Sequence, residues 1–396
     1  MGLRTKRSID ERGFVLVLAL LFLLVLTLIG VSSINTTTFD NIISGNQRIS
    51  KQAFYVAEAG INEFTGRFRP EATGEIADNN PTSTEWMLFL SKREERAQAI
   101  GYRGTDNPNH VFVESLENGL DYGVAIGHKV ANNTVVTWAG YPVYMATSHG
   151  FTSEGGKKVI EVELRKVPDV DPPAALYSKS PVKIMGSSSQ ISGLDQCPID
   201  EAPRDKPGII TTTPTITESG SPIINGSPED QVTSSPLNLP LKEMVDFFKD
   251  NADLTYDHSV DQTLPGYSDD WGEPRSEDAQ VPLEYEGPMK VIYFDMHGDK
   301  ELTLSGGSHG AGLLLVDGDL ELHGGFSWYG VIIVTGTFSC AGGGEKNITG
   351  GVLVGGASSV DVGGDATILY CSEAVKRLRD KLQFAPVRVV QWREIF

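Results

Sequence analysis

The residues best equipped for chemistry lie in the C-terminal third. Asp317, Asp319, Glu321, Asp361 and Asp365, with His309 and His323, place carboxylates and imidazoles among glycine-rich corners. Paired carboxylates are what glycoside hydrolysis uses, one as acid and one as base or nucleophile. To build such a face they would have to recur at the same outward position from one segment to the next. They do not: Asp317 and Asp319 simply flank Gly318 and read as solvated turn residues. The acid-rich "SDDWGEPRSED" at 268–278 could hold a weak calcium ion, but it lacks the Asp-x-Asp-x-Asp-Gly order of an EF-hand and reads rather as a solvated loop. No CxxC pair, P-loop or GxSxG occurs, and His is scarce at 7 residues, so no catalytic, cofactor-binding or metal-ligating set is expected. The 3 cysteines, Cys197, Cys340 and Cys371, allow at most one internal disulfide, and the spacing does not say which two pair. A formal net charge of -19 argues against nucleic acid, whose phosphates need clustered Lys and Arg.

The carboxylates sit on a repeat. "LLLVDGDLEL" (313–322), "VIIVTGTFSC" (331–340) and "GVLVGGASSV" (351–360) align, so that Leu314, Val316, Gly318, Leu320 and Leu322 match Ile332, Val334, Gly336, Phe338 and Cys340, and again Val352, Val354, Gly356, Ser358 and Val360. A period of about 20 residues with alternating apolar positions and glycine corners points to stacked β-coils, a β-solenoid or β-helix, with a flattened β-sandwich as the alternative. Its core is expected at Leu314, Val316, Ile332, Val334, Val352 and Val354, with Thr335 facing outward. "PVKIMGSSSQISG" (181–193) and "HGDKELTLSGG" (297–307) fit the same template loosely, which starts the domain near Leu176. Between them, about 195–287 reads as an acidic Pro/Ser/Thr-rich insertion with one helix near Leu237–Asn251. A helix from Ser372, capped by that residue, and a strand "VRVVQWREIF" are expected to cap an open end over 372–396.

Ahead of the repeat, Asp121–Val130, Tyr141–Phe151 and Lys157–Lys166 read as strands of a small antiparallel sheet, "KVIEVELRK" by its period of two. A short helix is expected at Glu85–Ala99, and "PDVDPP" within 168–175 reads as a linker.

The N-terminus carries the strongest signal. Phe14 to Val31 is an almost unbroken apolar run, long enough to cross the ~30 Å hydrocarbon core. Arg4, Lys6, Arg7 and Arg12 precede it, which places the N-terminus in the cytoplasm and the remainder outside. The run is longer than the apolar region of a cleaved secretory signal, although Val31-Ser32-Ser33 offers such a site. The pattern then continues: Phe39, Ile42, Asn46, Ile49, Ala53, Val56, Gly60 and Phe64 recur at spacings of three and four, with no Pro before Pro70. One helix of about 80 Å is expected, half in lipid, half amphipathic, suited to packing on a head and on copies of itself.

The stretch from "LTLIGVSS" through "TTT", "SGNQR" and "AF-x-x-AEAG", which includes Glu58, resembles PilX-type minor pilins over about residues 12–65. "ERGF" behind a charged leader resembles a prepilin peptidase site, which implies cleavage between Gly13 and Phe14. Most pilins carry Glu five residues into the mature chain; here that position is Leu18, a departure that argues against a bulk shaft subunit.

The expected protein is α+β: leader 1–13, transmembrane and amphipathic helix 14–68, pilin-like β region 69–167, linker 168–175 and solenoid-like domain 176–396. The resemblance implies a low-copy minor pilin of a type IV pilus or pseudopilus, initiating assembly or sitting at the tip. Its partners would be other minor pilins, the major pilin, the inner-membrane assembly platform and prepilin peptidase, with membrane lipid before assembly. It would sit in the inner membrane with its head in the periplasm, and at the pilus tip or cell surface after assembly. The alternative is a membrane-anchored β-helix that binds glycan or protein without polymerising, with a carbohydrate-active enzyme behind it.

Overall fold

A helix without Pro whose apolar residues recur every three to four positions has no internal reason to stop, and it does not. In a computed structural model of the chain, one α-helix runs Glu11–Arg67. The structure describes residues 11–68, 86, 112–116, 118–199, 202–265, 270–273, 281–383 and 387–395. The leader up to residue 10 and, Trp86 aside, the helix expected at Glu85–Ala99 lie outside them. The chain forms two compact units, one from the residues up to His128, Tyr144–Leu164 and the residues from Val389, the other from Lys129–Val143 and Arg165–Arg388.

In the first unit the second half of the helix lies on a sheet ordered Phe112–Leu116, Leu120–His128, Tyr141–Thr152, Lys157–Lys166, Val387–Ile395. The first two junctions are antiparallel. Alternation orients the strands: Ile160, Val162 and Leu164 are buried, as are Val124, Tyr144 and Ala146. The last strand corrects an expectation. "VRVVQWREI" does not cap the second unit but joins this sheet beside Lys157–Lys166, where Arg393 pairs with Glu161 and Lys158 with Glu394. The long segment between these two neighbouring strands forms nearly all of the second unit.

The second unit is mostly parallel β. Among the described residues its strands fall into an 11-stranded and a 7-stranded sheet that the chain visits in alternation. The repeat stacks in register: Leu314 on Ile332 on Val352, and Val316 on Val334 on Val354, all fully buried. In the 7-stranded sheet Leu320 lies beside Phe338 and Leu322 beside Cys340. There the third repeat departs from the sequence alignment. Cys340 pairs with Val362, not Val360, because the turn after Gly356 holds two more residues.

The strands Ser308–Asp317, Phe326–Val334 and Lys346–Val354 are buried along their whole length. Helix Leu241–Phe248 and helix Ser372–Lys381 both pack against this sheet from outside, burying Met244, Val245 and Phe248, and Ala374, Val375 and Leu378. A strand covered on both faces reads as a continuous apolar run, as "LLLV" and "VIIV" do. The C-terminal helix thus covers a flank, not an end. Its N-cap is Cys371, whose sulfur accepts from the Ala374 amide, while Ser372 sits in the first turn.

Mid-strand, Gly312, Gly330 and Gly350 form a column at φ of +127°, +134° and +143°. A β-carbon at Gly330 would run into the Gly312 carbonyl, and one at Gly350 into that of Gly330. Only glycine allows three stacked strands to bend at the same place.

Residues 195–287 are not an insertion outside the stack. Ile209–Thr211, Ile216–Ser219 and Ile223–Asn225 form another turn of it, pairing in parallel with Leu176–Ser178, Val182–Met185 and Gln190–Ser192. Leu254–Asp257 and Gln262–Pro265 pair with Lys290–Asp295 and Glu301–Ser305 at the opposite end. The chain therefore starts in mid-stack, builds one way, crosses over through helix Leu241–Phe248, and returns strand by strand until its last turn docks on its first. At that seam Val352 pairs with Leu176, Val360 with Val182 and Ile368 with Ile191. The segment expected as a free linker is built in too: Val170, Ala174 and Ala175 are fully buried, and Asp169 pairs with Arg379.

Candidate functional site

The N-terminal helix presents two surfaces along its length. From Ala53 on it faces the sheet: Ala53, Val56, Ala57, Ile61, Phe64 and Phe68 are buried, Ile49 is at the margin and Glu58 is half-buried. Small residues make the approach close. A β-carbon on Gly150 would strike the Ala53 carbonyl, and one on Gly60 would meet Ser148. The last turns are held by charge, since Glu63 pairs with Arg67 and accepts from the Tyr122 hydroxyl. Burial lowers the Arg67 pKa, against the pull of Tyr122 and Glu114; burial raises that of Tyr122, with Glu114 adding to it.

The other half is bare. Phe14 is 68% exposed, Leu18 43%, Phe39 65% and Ile42 54%, so the expected packing stripe is used by the head only from Ile49 onward. The segment includes an 18-residue window with a mean hydropathy of 3.2, enough to cross a membrane by length and composition. Four of its hydroxyls are satisfied locally. Thr27, Thr36, Thr37 and Thr38 each donate to a carbonyl three or four residues back, at 2.8 to 3.0 Å. Hydroxyls satisfied in this way leave the helix surface compatible with an apolar environment. Such a surface is suited to cover by lipid or by other helices. Gly13 lies in the helix backbone immediately before Phe14.

Residues 12–62 match the PilX N-terminal family. By this segment the N-terminal helix is similar to that of PilX-type minor pilins. The match ends at residue 62, so the likeness covers the helix and not the parallel unit. Among solved structures, the competence-associated pilin ComZ from Thermus thermophilus is similar at 12% identity, over 87% of this chain and 97% of that one, with a TM-score of 0.25. No curated protein matches the chain.

The carboxylates that opened the sequence reading are held in structural roles. Asp317 is buried, paired with Lys242, and accepts from Thr335 Oγ1 at 2.9 Å. Thr335, expected to face solvent, is therefore a partner of a buried charge. Asp319 accepts from the Thr337 amide at 2.6 Å, Glu321 pairs with His323 at 2.8 Å, and Asp361 accepts from Ser359 at 3.3 Å. Asp365 occupies a turn at φ +57°, and a ring nitrogen of His309 lies 3.1 Å from the Gly307 carbonyl. Among the described residues no three His, Cys, Asp or Glu gather as a metal site. Of the loop at 268–278, only 270–273 are described; Trp271 is buried there and donates to Tyr256.

Of the three cysteines, Cys197 and Cys371 form a disulfide and Cys340 is free and buried. The bridge lies at the seam, just after Gln190–Ser192 and Ala366–Tyr370, which pair there. Cys340 faces inward near Lys346, whose ammonium donates to the carbonyls of Gly342, Gly344 and Gly364 at 2.8 to 2.9 Å. Burial raises the Cys340 thiol to about 12, with Lys346 pulling the other way.

Proposed function

We propose that the protein is a low-copy minor pilin of a type IV pilus or related pseudopilus, acting at initiation or at the tip. The observation that carries this is the bare apolar helix from Phe14 to Ile43, continuous with a half that already holds the head sheet. Cleavage after Gly13 by prepilin peptidase frees Phe14 as the first residue. The helix rests in the inner membrane, N-terminus inward, and then exchanges lipid for the helices of other minor pilins and the major pilin at the assembly platform. Leu18 supports low copy number, because a shaft subunit needs an intramembrane carboxylate for its neighbour and this chain has none there. The disulfide supports a head outside the cytoplasm, where thiols are oxidised. Stacked parallel strands with repeated glycine bends support a solenoid-type head, too large to repeat along a shaft.

Quantitative mass spectrometry of sheared filaments tests the reading. The protein should co-purify with filaments far below the main pilin, and its loss should reduce their number. Near-stoichiometric abundance would contradict the low-copy role. Absence from filaments, with all copies in the membrane, would favour the anchored binding protein.

A further inference from the structure

The second unit contains a cavity of about 450 Å³ that has no part in the pilin reading. Three distant segments build it. Trp138 and Ala139 come from a hairpin turn, Glu243, Asp246, Phe247, Asp250 and Asn251 from helix Leu241–Phe248 and the turn after it, and Arg388 from near the C-terminus.

The helix supplies its wall by spacing. Leu241, Met244, Val245 and Phe248 are buried in the core, so Glu243, Asp246, Phe247 and Asp250 line the opposite face at i, i+3, i+4 and i+7. The hairpin is fixed against this helix. Trp138 pairs with Tyr141 across a two-residue turn in which Ala139 and Gly140 have φ of +50° and +80°. A residue other than glycine is disfavoured at that φ. A β-carbon on Gly140 would enter the Pro240 ring, immediately before the helix. The turn thus seats Trp138 edge-on to Phe247, with ring centres 5.1 Å apart.

Aromatic walls with a few convergent polar groups are the usual make-up of a ligand pocket. The polar groups narrow the class of ligand. Three carboxylates repel an anion. A cation over the Trp138 ring meets like-charge repulsion from Arg165, whose guanidinium carbon lies 5.4 Å from the ring centre, and a neutral ligand does not. Arg388 adds a further positive charge, and Asp246 is already bonded to Lys249 at 2.6 Å. What remains is a pair of rings flanked by acceptors (Glu243, Asp250) and donors (the Asn251 amide and the Arg388 guanidinium). A sugar ring offers matching surfaces: an apolar C–H face, and hydroxyls that both donate and accept.

We propose that this cavity is a binding site for a neutral oligosaccharide, with Trp138 against the ring face, Phe247 at the ring's edge and Glu243, Asp250, Asn251 and Arg388 on the hydroxyls. The site does not depend on assembly into a filament.

The test uses the full chain in a detergent without a sugar headgroup. Cellotetraose, maltotetraose and tri-N-acetylchitotriose are titrated calorimetrically, with spermidine as the cationic comparison. At least one neutral sugar should bind. Trp138→Ala and Asp250→Asn should each weaken it about tenfold or more. Asp250 is exposed, so its variant should keep the wild-type melting temperature, and Trp138→Phe should retain part of the affinity. The proposal is overturned if none of the three sugars binds at millimolar concentration, if both variants bind like wild type, or if spermidine binds in their place with the same sensitivity to Trp138→Ala.

Discussion

Replacing Cys197 and Cys371 together by Ser should open the parallel stack at one place. The bridge spans a sequence separation of 174 and sits where the last turn of the stack meets the first. In the chain-entropy account, releasing a loop of that length lowers stability by about 5 kcal/mol, and native disulfides removed from small domains give about 2–5. Against the 5–15 kcal/mol typical of a folded domain, a loss of about that size is large but survivable. Ser at 371 keeps a helix N-cap acceptor, so the change reports the bridge and not the cap. The seam still has its ladder, Leu176 with Val352 and Ile191 with Ile368, so the variant should fold. Urea melts of the full chain in detergent give the magnitude, and hydrogen exchange gives the location. Amides of Gln190–Ser192 and Ala366–Tyr370 should lose protection first, while Leu313–Val316 and Val331–Val334 keep theirs. A double variant within ~0.5 kcal/mol of wild type, or a loss of protection spread evenly over the stack, would refute the seam as the place where the bridge acts.

Further outcomes follow from packing and titration. Ile332→Ala, in the middle of a fully buried column, should cost about 2–5 kcal/mol. Thr335→Ala should cost less, about 1–2, because it removes one bond to the buried Asp317 carboxylate; equal costs in denaturant melts would mean the register is wrong. Gly330→Ala forces a β-carbon against the Gly312 carbonyl and should cost about 3 kcal/mol, whereas Gly343→Ala, with open space around it, should stay within ~0.5. Cys340 titrates in the unfolded chain near the ordinary thiol value of about 8.5 but in the fold only at about 12. Its raised pKa means stability is full below the first value and falls as pH rises toward the second, by up to ~1.4 kcal/mol per unit. Cys340→Ala should flatten that alkaline slope in melts at stepped pH, and an unchanged slope would place the titration elsewhere.

What the sequence disclosed follows the range of the forces involved. The N-terminal helix is written in local composition, and its apolar run predicts both helicity and exposure without reference to anything else. Strand Lys157–Lys166 shows its buried side by alternation, and Leu314, Ile332 and Val352 show theirs by repetition. The turn built by Ile209–Thr211, Ile216–Ser219 and Ile223–Asn225 escaped because its strands hold three or four residues each among Ser, Thr and Pro. Too few apolar positions remain there to set a period. The docking of the last turn on the first is a pairing across more than 150 residues, and no local pattern specifies it. The strand Val387–Ile395 is legible as a strand, but its partner is not, since any exposed sheet edge fits "VRVVQW". Gly312, Gly330 and Gly350 recur at the repeat offset, but each borders an apolar run whose periodicity dominates the local pattern. The same distance problem hid the cavity, whose Trp138 and Phe247 meet only through the hairpin seated on Pro240.

The most direct measurement of the central claim is the intact mass of the protein extracted from its native membrane. Processing as a pilin requires a mature chain that begins at Phe14, with the bare apolar helix as its new N-terminus. A mass that corresponds to residues 14–396 is the predicted result. A mass that retains residues 1–13, or one that begins at Ile34 after signal-type cleavage, would contradict it.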